Sequence, residues 1–126
     1  MKMILDVIDG VPVLRLAGEV DMSNTPAVQR LIATEIGNKV VAMVLDLSGV
    51  TYLDSAGIHL LYQLESKLEV HQQHLIVVVP TGVGITRTLQ AAGVIGSFVL
   101  VSSVEAALVL APRLSEAVKP GRRAVG

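Results

Sequence analysis

The chain has no cysteine and no tryptophan, and its only aromatic residues are one phenylalanine and two tyrosines. Without cysteine there is no disulfide and no thiolate metal site, which fits a reducing compartment. So few aromatics, with no interleaved aromatic-and-basic stripe, argue against gripping single-stranded nucleic acid by stacking. The formal net charge is −1, so nothing pulls the chain generally toward DNA, RNA or anionic lipid. The opening MKMILDVIDG carries early acids and no long apolar stretch, unlike a secretory signal. No apolar run approaches the ~18–20 residues that span a bilayer. These absences predict a soluble, cytoplasmic protein with no direct nucleic-acid contact and no membrane association.

What is present is aliphatic. Of 126 residues 52% are hydrophobic and 17% charged, enough for one domain with one packed core. A core of Val, Leu, Ile and Ala suits a sheet covered by helices. Met3 to Ile8 reads as a strand, Asp9-Gly10 as a tight turn and Val11 to Ala17 as the hairpin partner. Leu14 and Leu16 share one face of that second strand, Val13 and Arg15 the other, wetter one. The segment Gly18-Glu19-Val20-Asp21 leads to a helix capped by Asn24 or Thr25, with Pro26 in its first turn. Val28, Leu31, Ile32 and Ile36 form its apolar stripe, and Gly37-Asn38 ends it.

Val40 to Leu47 is a nearly continuous apolar run, as expected of a central strand. Ile58, Leu61, Leu64 and Leu68 then mark a second amphipathic helix, and Leu75 to Val79 another buried strand stopped by Pro80. TGVGITRTLQAAG predicts a short helix closing near Gly93, and Phe98 to Val101 a short last strand. Ser102 with Glu105 has the capping-box pattern before a final helix, which Pro112 is expected to kink or end. KPGRRAVG lacks apolar periodicity and reads as a frayed tail. The order is ββαβαβαβα, which predicts an α/β fold with a mixed sheet and function gathered at the carboxyl ends of its strands.

One such end carries Asp54-Ser55-Ala56-Gly57, and the hinge admits several readings. Asp54 or Ser55 can cap the helix that follows, although no Glu or Gln stands three residues on to complete a capping box. Gly57 in the first turn opposes helix propensity and would let another molecule approach the backbone. Ser55 as a nucleophile would need His59, four residues on, as its base. The hinge is not a G-x-S-x-G elbow, and no acid or oxyanion partner is evident; His71 and His74 flank a loop and read as solvated. Asp21, Asp46 and Asp54 could converge as a carboxylate site for Mg²⁺. TGVGITRT has neither dinucleotide-binding nor P-loop spacing and reads as a turn into a helix. A phosphoryl group on Ser55 would meet the positive end of the helix and add about −1.5 to −2 charges beside Asp54. That would change a partner-facing surface without disturbing the core.

VLDLSGVTYLDSAGIHLL, residues 44 to 61, resembles the signature of STAS domains, specifically the bacterial anti-sigma-factor antagonists. LAGEVDMSNTPAVQRLI upstream is similar to that family's first block, and the resemblance covers about residues 3 to 112. It implies the STAS fold over 1–112, a mixed sheet of four to five strands with helices packed mainly on one face. Residues 113–126 would form the end of the last helix and a flexible tail.

The resemblance also implies a non-enzymatic partner switch without a cofactor or metal of its own. The unphosphorylated form would bind an anti-sigma factor that is also a serine kinase of the histidine-kinase-like ATPase type, releasing a sigma factor. Phosphorylation at Ser55 would block that binding, and a PP2C-type phosphatase would reset it. ATP and Mg²⁺ would belong to the kinase. Asp54 would help to position Ser55, and Asp21 and Ser23 would lie in the adjoining partner-binding loop with Ala56, Gly57 and His59 across from it. Where many relatives carry a second Ser or Thr this chain has Ala56, and His59 stands where they often have a small residue. The alternative with the same fold is an unmodified interaction subunit, in a stressosome scaffold or a lipid-transport ATPase complex.

Overall fold

The computed structural model describes residues 1–37, 40–82, 84–93 and 98–118. Its elements follow the order β1 (Lys2–Ile8), β2 (Val11–Val20), α1 (Thr25–Glu35), β3 (Ala42–Leu53), α2 (Ser55–Val70), β4 (His74–Val78), α3 (Gly84–Ala91), β5 (Val99–Val101) and α4 (Val104–Val118). The five strands lie in chain order in one mixed sheet. β1 and β2 are antiparallel, and β2 through β5 are parallel. Asp9 and Gly10 both take positive φ (53° and 78°), as a two-residue type I′ turn requires.

Period-two alternation sorts the sheet into two covered faces. Leu14, Leu16, Met43, Leu45, Leu75 and Val77 face α1, α2 and α3, which contribute Val28 and Ile32, Leu60, Leu61, Leu64 and Leu68, and Ile85 and Leu89. Val13, Ala42, Val44, Ile76 and Val78 face α4 through Ala107 and Ala111. Three helices on one side and one on the other is the expected STAS-like arrangement. Small alanines let α4 lie close to the sheet; the residue expected to be on a wet face, Val13, is fully buried beneath that layer.

The structure corrects several boundaries. β3 begins at Ala42 and continues past Leu47 to Leu53. Its second half pairs with β2 through two register shifts, between Arg15 and Ala17 and between Gly18 and Glu19, each with one extra residue on β3. The polar residues Ser48, Thr51 and Tyr52 are exposed there while Val50 and Leu53 stay buried, so a half-buried strand follows a fully buried one. α4 is capped by Ser103, whose Oγ accepts the Ala106 N–H at 3.1 Å, and not by Ser102. Pro112 neither ends α4 nor lies in its interior packing; it is exposed, and the helix continues to Val118. Asn38 and the tail 119–126 fall outside the described residues.

Candidate functional site

β2 and β3 end side by side, with Val20 paired to Leu53. Asp54 follows with extended backbone (φ −91°, ψ −173°), and its N–H donates to the Val20 carbonyl at 3.2 Å. This last rung fixes the start of α2 against the end of β2. Asp54 is the N-cap: its Oδ1 accepts the Gly57 N–H at 2.9 Å, and its carbonyl accepts the Ile58 N–H at 3.0 Å.

Ser55 is therefore the first helical residue and not the cap. Its side chain is exposed and makes no hydrogen bond to another described residue. The N–H groups of Ser55 and Ala56 have no acceptor among the described residues, so the positive end of α2 is open beside the hydroxyl.

Gly57 departs from the expectation. It is buried, and a Cβ there would fall 2.4 Å from Leu53 Cδ1, 2.9 Å from Leu53 Cγ and 3.3 Å from the Val20 carbonyl oxygen. The missing side chain makes room for the chain's own Leu53, not for an incoming molecule.

The loop after β2 forms the adjoining wall. Asp21 Oδ1 accepts from the Ser23 N–H at 3.0 Å and from the Ser23 hydroxyl. These two bonds hold the Asp21 carboxyl below its ordinary value. Asn24 precedes α1 but points backward: its Oδ1 accepts the Asp21 N–H at 3.0 Å and its Nδ2 donates to the Glu19 carbonyl at 2.9 Å. Neither bond caps the helix. α1 and α2 are tied further along by Gln29 Nε2 donating to Gln63 Oε1 at 2.6 Å.

Asp21, Ser23, Asp54, Ser55 and Ala56 thus lie on two segments that leave adjacent strand ends, with His59 exposed one turn along α2. Met22, 76% exposed between Asp21 and Ser23, is a contact candidate that sequence reasoning passed over. Its signal was an apolar residue amid polar loop residues.

Two other expectations separate from this site. Asp46 does not join Asp21 and Asp54, because it sits mid-strand on the α4 face of β3. There its Oδ1 accepts from the Ser48 N–H and hydroxyl, and its Oδ2 lies 3.7 Å from Arg15 Nε. No group of three or more His, Asp or Glu residues that could hold a metal ion occurs among the described residues. His59 makes no hydrogen bond with Ser55. His74, expected to be solvated, is half-buried, and its enclosed Nε2 has no hydrogen-bond partner among the described residues, whereas His71 is exposed.

The STAS domain family model matches residues 2–107. The chain belongs to the STAS domain family. An STAS relative, the anti-sigma-F factor antagonist RsfB of Mycobacterium tuberculosis, is 33% identical over 60 residues, 48% of this chain and 49% of that protein. The chain thus spans about half the length of the curated relative it matches. The crystal structure of an anti-sigma factor antagonist from Mycobacterium paratuberculosis superposes with a TM-score of 0.77 at 28% identity, over 88% of this chain and 93% of that one. The Bacillus cell fate determinant SpoIIAA in its phosphorylated form has a TM-score of 0.65 at 22% identity, over 86% of this chain and 99% of that one, and shares the STAS fold. No helix among the described residues is long and apolar enough to cross a membrane.

Proposed function

We propose that this STAS domain is an anti-sigma-factor antagonist switched at Ser55, and a binding protein, not an enzyme. Unphosphorylated, it binds an anti-sigma factor that is also a serine kinase of the histidine-kinase-like ATPase type, and a sigma factor is released. The kinase transfers the γ-phosphoryl of its own ATP to Ser55 Oγ; the hydroxyl proton leaves and ADP remains with the kinase. A PP2C-type phosphatase hydrolyses the phosphoester and restores binding.

The observation that carries this reading is the exposed, unengaged Ser55 hydroxyl at the first position of α2. Because Asp54 alone caps the helix, Ser55 can be modified without loss of the cap. The added charge would stand beside the Asp54 carboxylate, with the ionised Asp21 carboxylate on the neighbouring loop. The modified surface would therefore repel an acidic or apolar partner while the core stays intact. The names of the relatives support the antagonist class, and Asp21, Met22, Ser23, Ala56 and His59 are the proposed contact residues around the acceptor.

Binding of the cognate kinase tests this against the unmodified interaction subunit. Ser55→Ala should bind as the wild type does, and Ser55→Glu at least about tenfold more weakly, or ~1.4 kcal/mol. Equal affinities for all three would leave Ser55 as a contact or a bystander.

A further inference from the structure

β1 is an edge strand, paired only with β2 in the described sheet. Its hairpin fixes which of its backbone groups are free. The type I′ turn at Asp9-Gly10 closes on Ile8 and Val11 as a hydrogen-bonded pair, and bonded and non-bonded pairs alternate back to Lys2 and Ala17. Ile8, Asp6, Ile4 and Lys2 therefore turn their N–H and C=O groups toward β2. Val7, Leu5 and Met3 turn theirs outward. Three large hydrophobic residues of this edge are also uncovered: Met1 is 42% exposed, Ile4 47% and Val7 68%.

We propose that this edge is a self-association surface, on which a second copy of the chain adds its β1 antiparallel about a two-fold axis at Ile4. Outward groups then meet outward groups: Met3 pairs with the second copy's Leu5, and Leu5 with its Met3. Each remaining pair is chemically matched. Ile4 meets Ile4, Met1 meets Val7, and Lys2 meets Asp6 twice over. Like charges never face each other, and no charge faces an aliphatic side chain.

The neighbouring registers with the same hydrogen-bonding parity lack this match. An axis at Leu5 sets Asp6 against Ile4 and Lys2 against Ile8; an axis at Met3 sets Lys2 against Ile4. Charges on an edge strand ordinarily keep edges apart. Here the spacing of Lys2 and Asp6 makes them complementary under the two-fold axis. Asp6 is already bonded to Arg15 on β2, so the incoming lysine would extend a row of alternating charge along the sheet face. The partner is therefore a second copy of this chain, joined into one continuous sheet. Ser55 lies beyond β3, two strands in from this edge, so the surface is separate from the proposed switch and does not depend on it.

The test uses single cysteines, since the natural chain has none. At a non-hydrogen-bonded pair the facing Cβ atoms lie about 4.5–5.5 Å apart, near disulfide range. Under mild oxidation Ile4→Cys should form a covalent dimer at least about tenfold faster than Val7→Cys, although Val7 is the more exposed residue. By sedimentation velocity the wild type should dimerise with a Kd of about 10–100 µM. Lys2→Glu and Asp6→Lys, each checked for its fold by circular dichroism, should be monomeric alone and form a heterodimer when mixed. Ile4→Lys, with like charges on the axis, should be monomeric under all conditions. A wild type that stays monomeric at about 1 mM overturns the proposal. So does a mixture of the two charge variants that stays monomeric, or a cysteine at 7 that cross-links as fast as one at 4.

Discussion

Two serines stand beside aspartates at the carboxyl ends of neighbouring strands, and the structure treats them differently. Ser23, after β2, is tied to Asp21 through both its N–H and its hydroxyl. Ser55, after β3, is untied because Asp54 uses its carboxylate on the Gly57 N–H. The difference arises at the helix starts. Asn24 turns its side chain back onto the loop, so the β2–α1 connection is held by its own polar groups. Asp54 turns forward onto α2, and the hydroxyl of the serine after it has no partner among the described residues. An Asp-Ser neighbourhood therefore does not by itself leave a serine hydroxyl open; the direction in which the cap residue points does.

The sharpest way to break the contrast is at the third helical position. Gly57→Ala would drive a Cβ into buried Leu53 and should cost about 1–3 kcal/mol in urea denaturation, more than the gain in helix propensity returns. The equivalent position of α1 is Ala27, so Ala27→Gly should cost only about 1 kcal/mol, from propensity alone. A smaller effect is expected at the caps. Asp54→Ala should lose about 1 kcal/mol and speed hydrogen exchange at Gly57, whereas Asn24→Ala should speed exchange at Asp21 and leave the α1 amides unchanged.

The smallest effect concerns the tied serine. Ser23→Ala removes one of the two bonds that hold the Asp21 carboxyl down, so its pKa, followed by NMR, should rise toward the ordinary 3.8. A lowered native pKa gives stability that is present above the unfolded value and lost as pH falls through the native one. The variant should therefore show a weaker loss of stability between about pH 4 and lower pH than the wild type.

Much of this was legible because periodicity and turn residues carry local information. The alternation in VLRL, the Asp-Gly turn and the apolar run from Val40 to Leu47 announce the sheet, and the stripe from Ile58 to Leu68 announces α2. The second half of β3 was hidden because its exposed Ser48, Thr51 and Tyr52 interrupt the apolar run; only pairing to β2 through bulges keeps it extended. The hinge residues were found, yet the division of roles between Asp54 and Ser55 depends on backbone angles that composition does not encode. Gly57 was misread for a related reason. Its demand comes from Leu53, four residues earlier, which the chain folds back against it. Asp46 was grouped with the wrong partners because its face of β3 is set by strand register, which brings it to Arg15 instead.

Intact-mass and peptide-level mass spectrometry after incubation with the cognate kinase and ATP tests the contrast between the two serines most directly. The wild type should carry one phosphoryl group, located at Ser55, retained in Ser23→Ala and absent from Ser55→Ala. Phosphate at Ser23, or undiminished incorporation by Ser55→Ala, would contradict it.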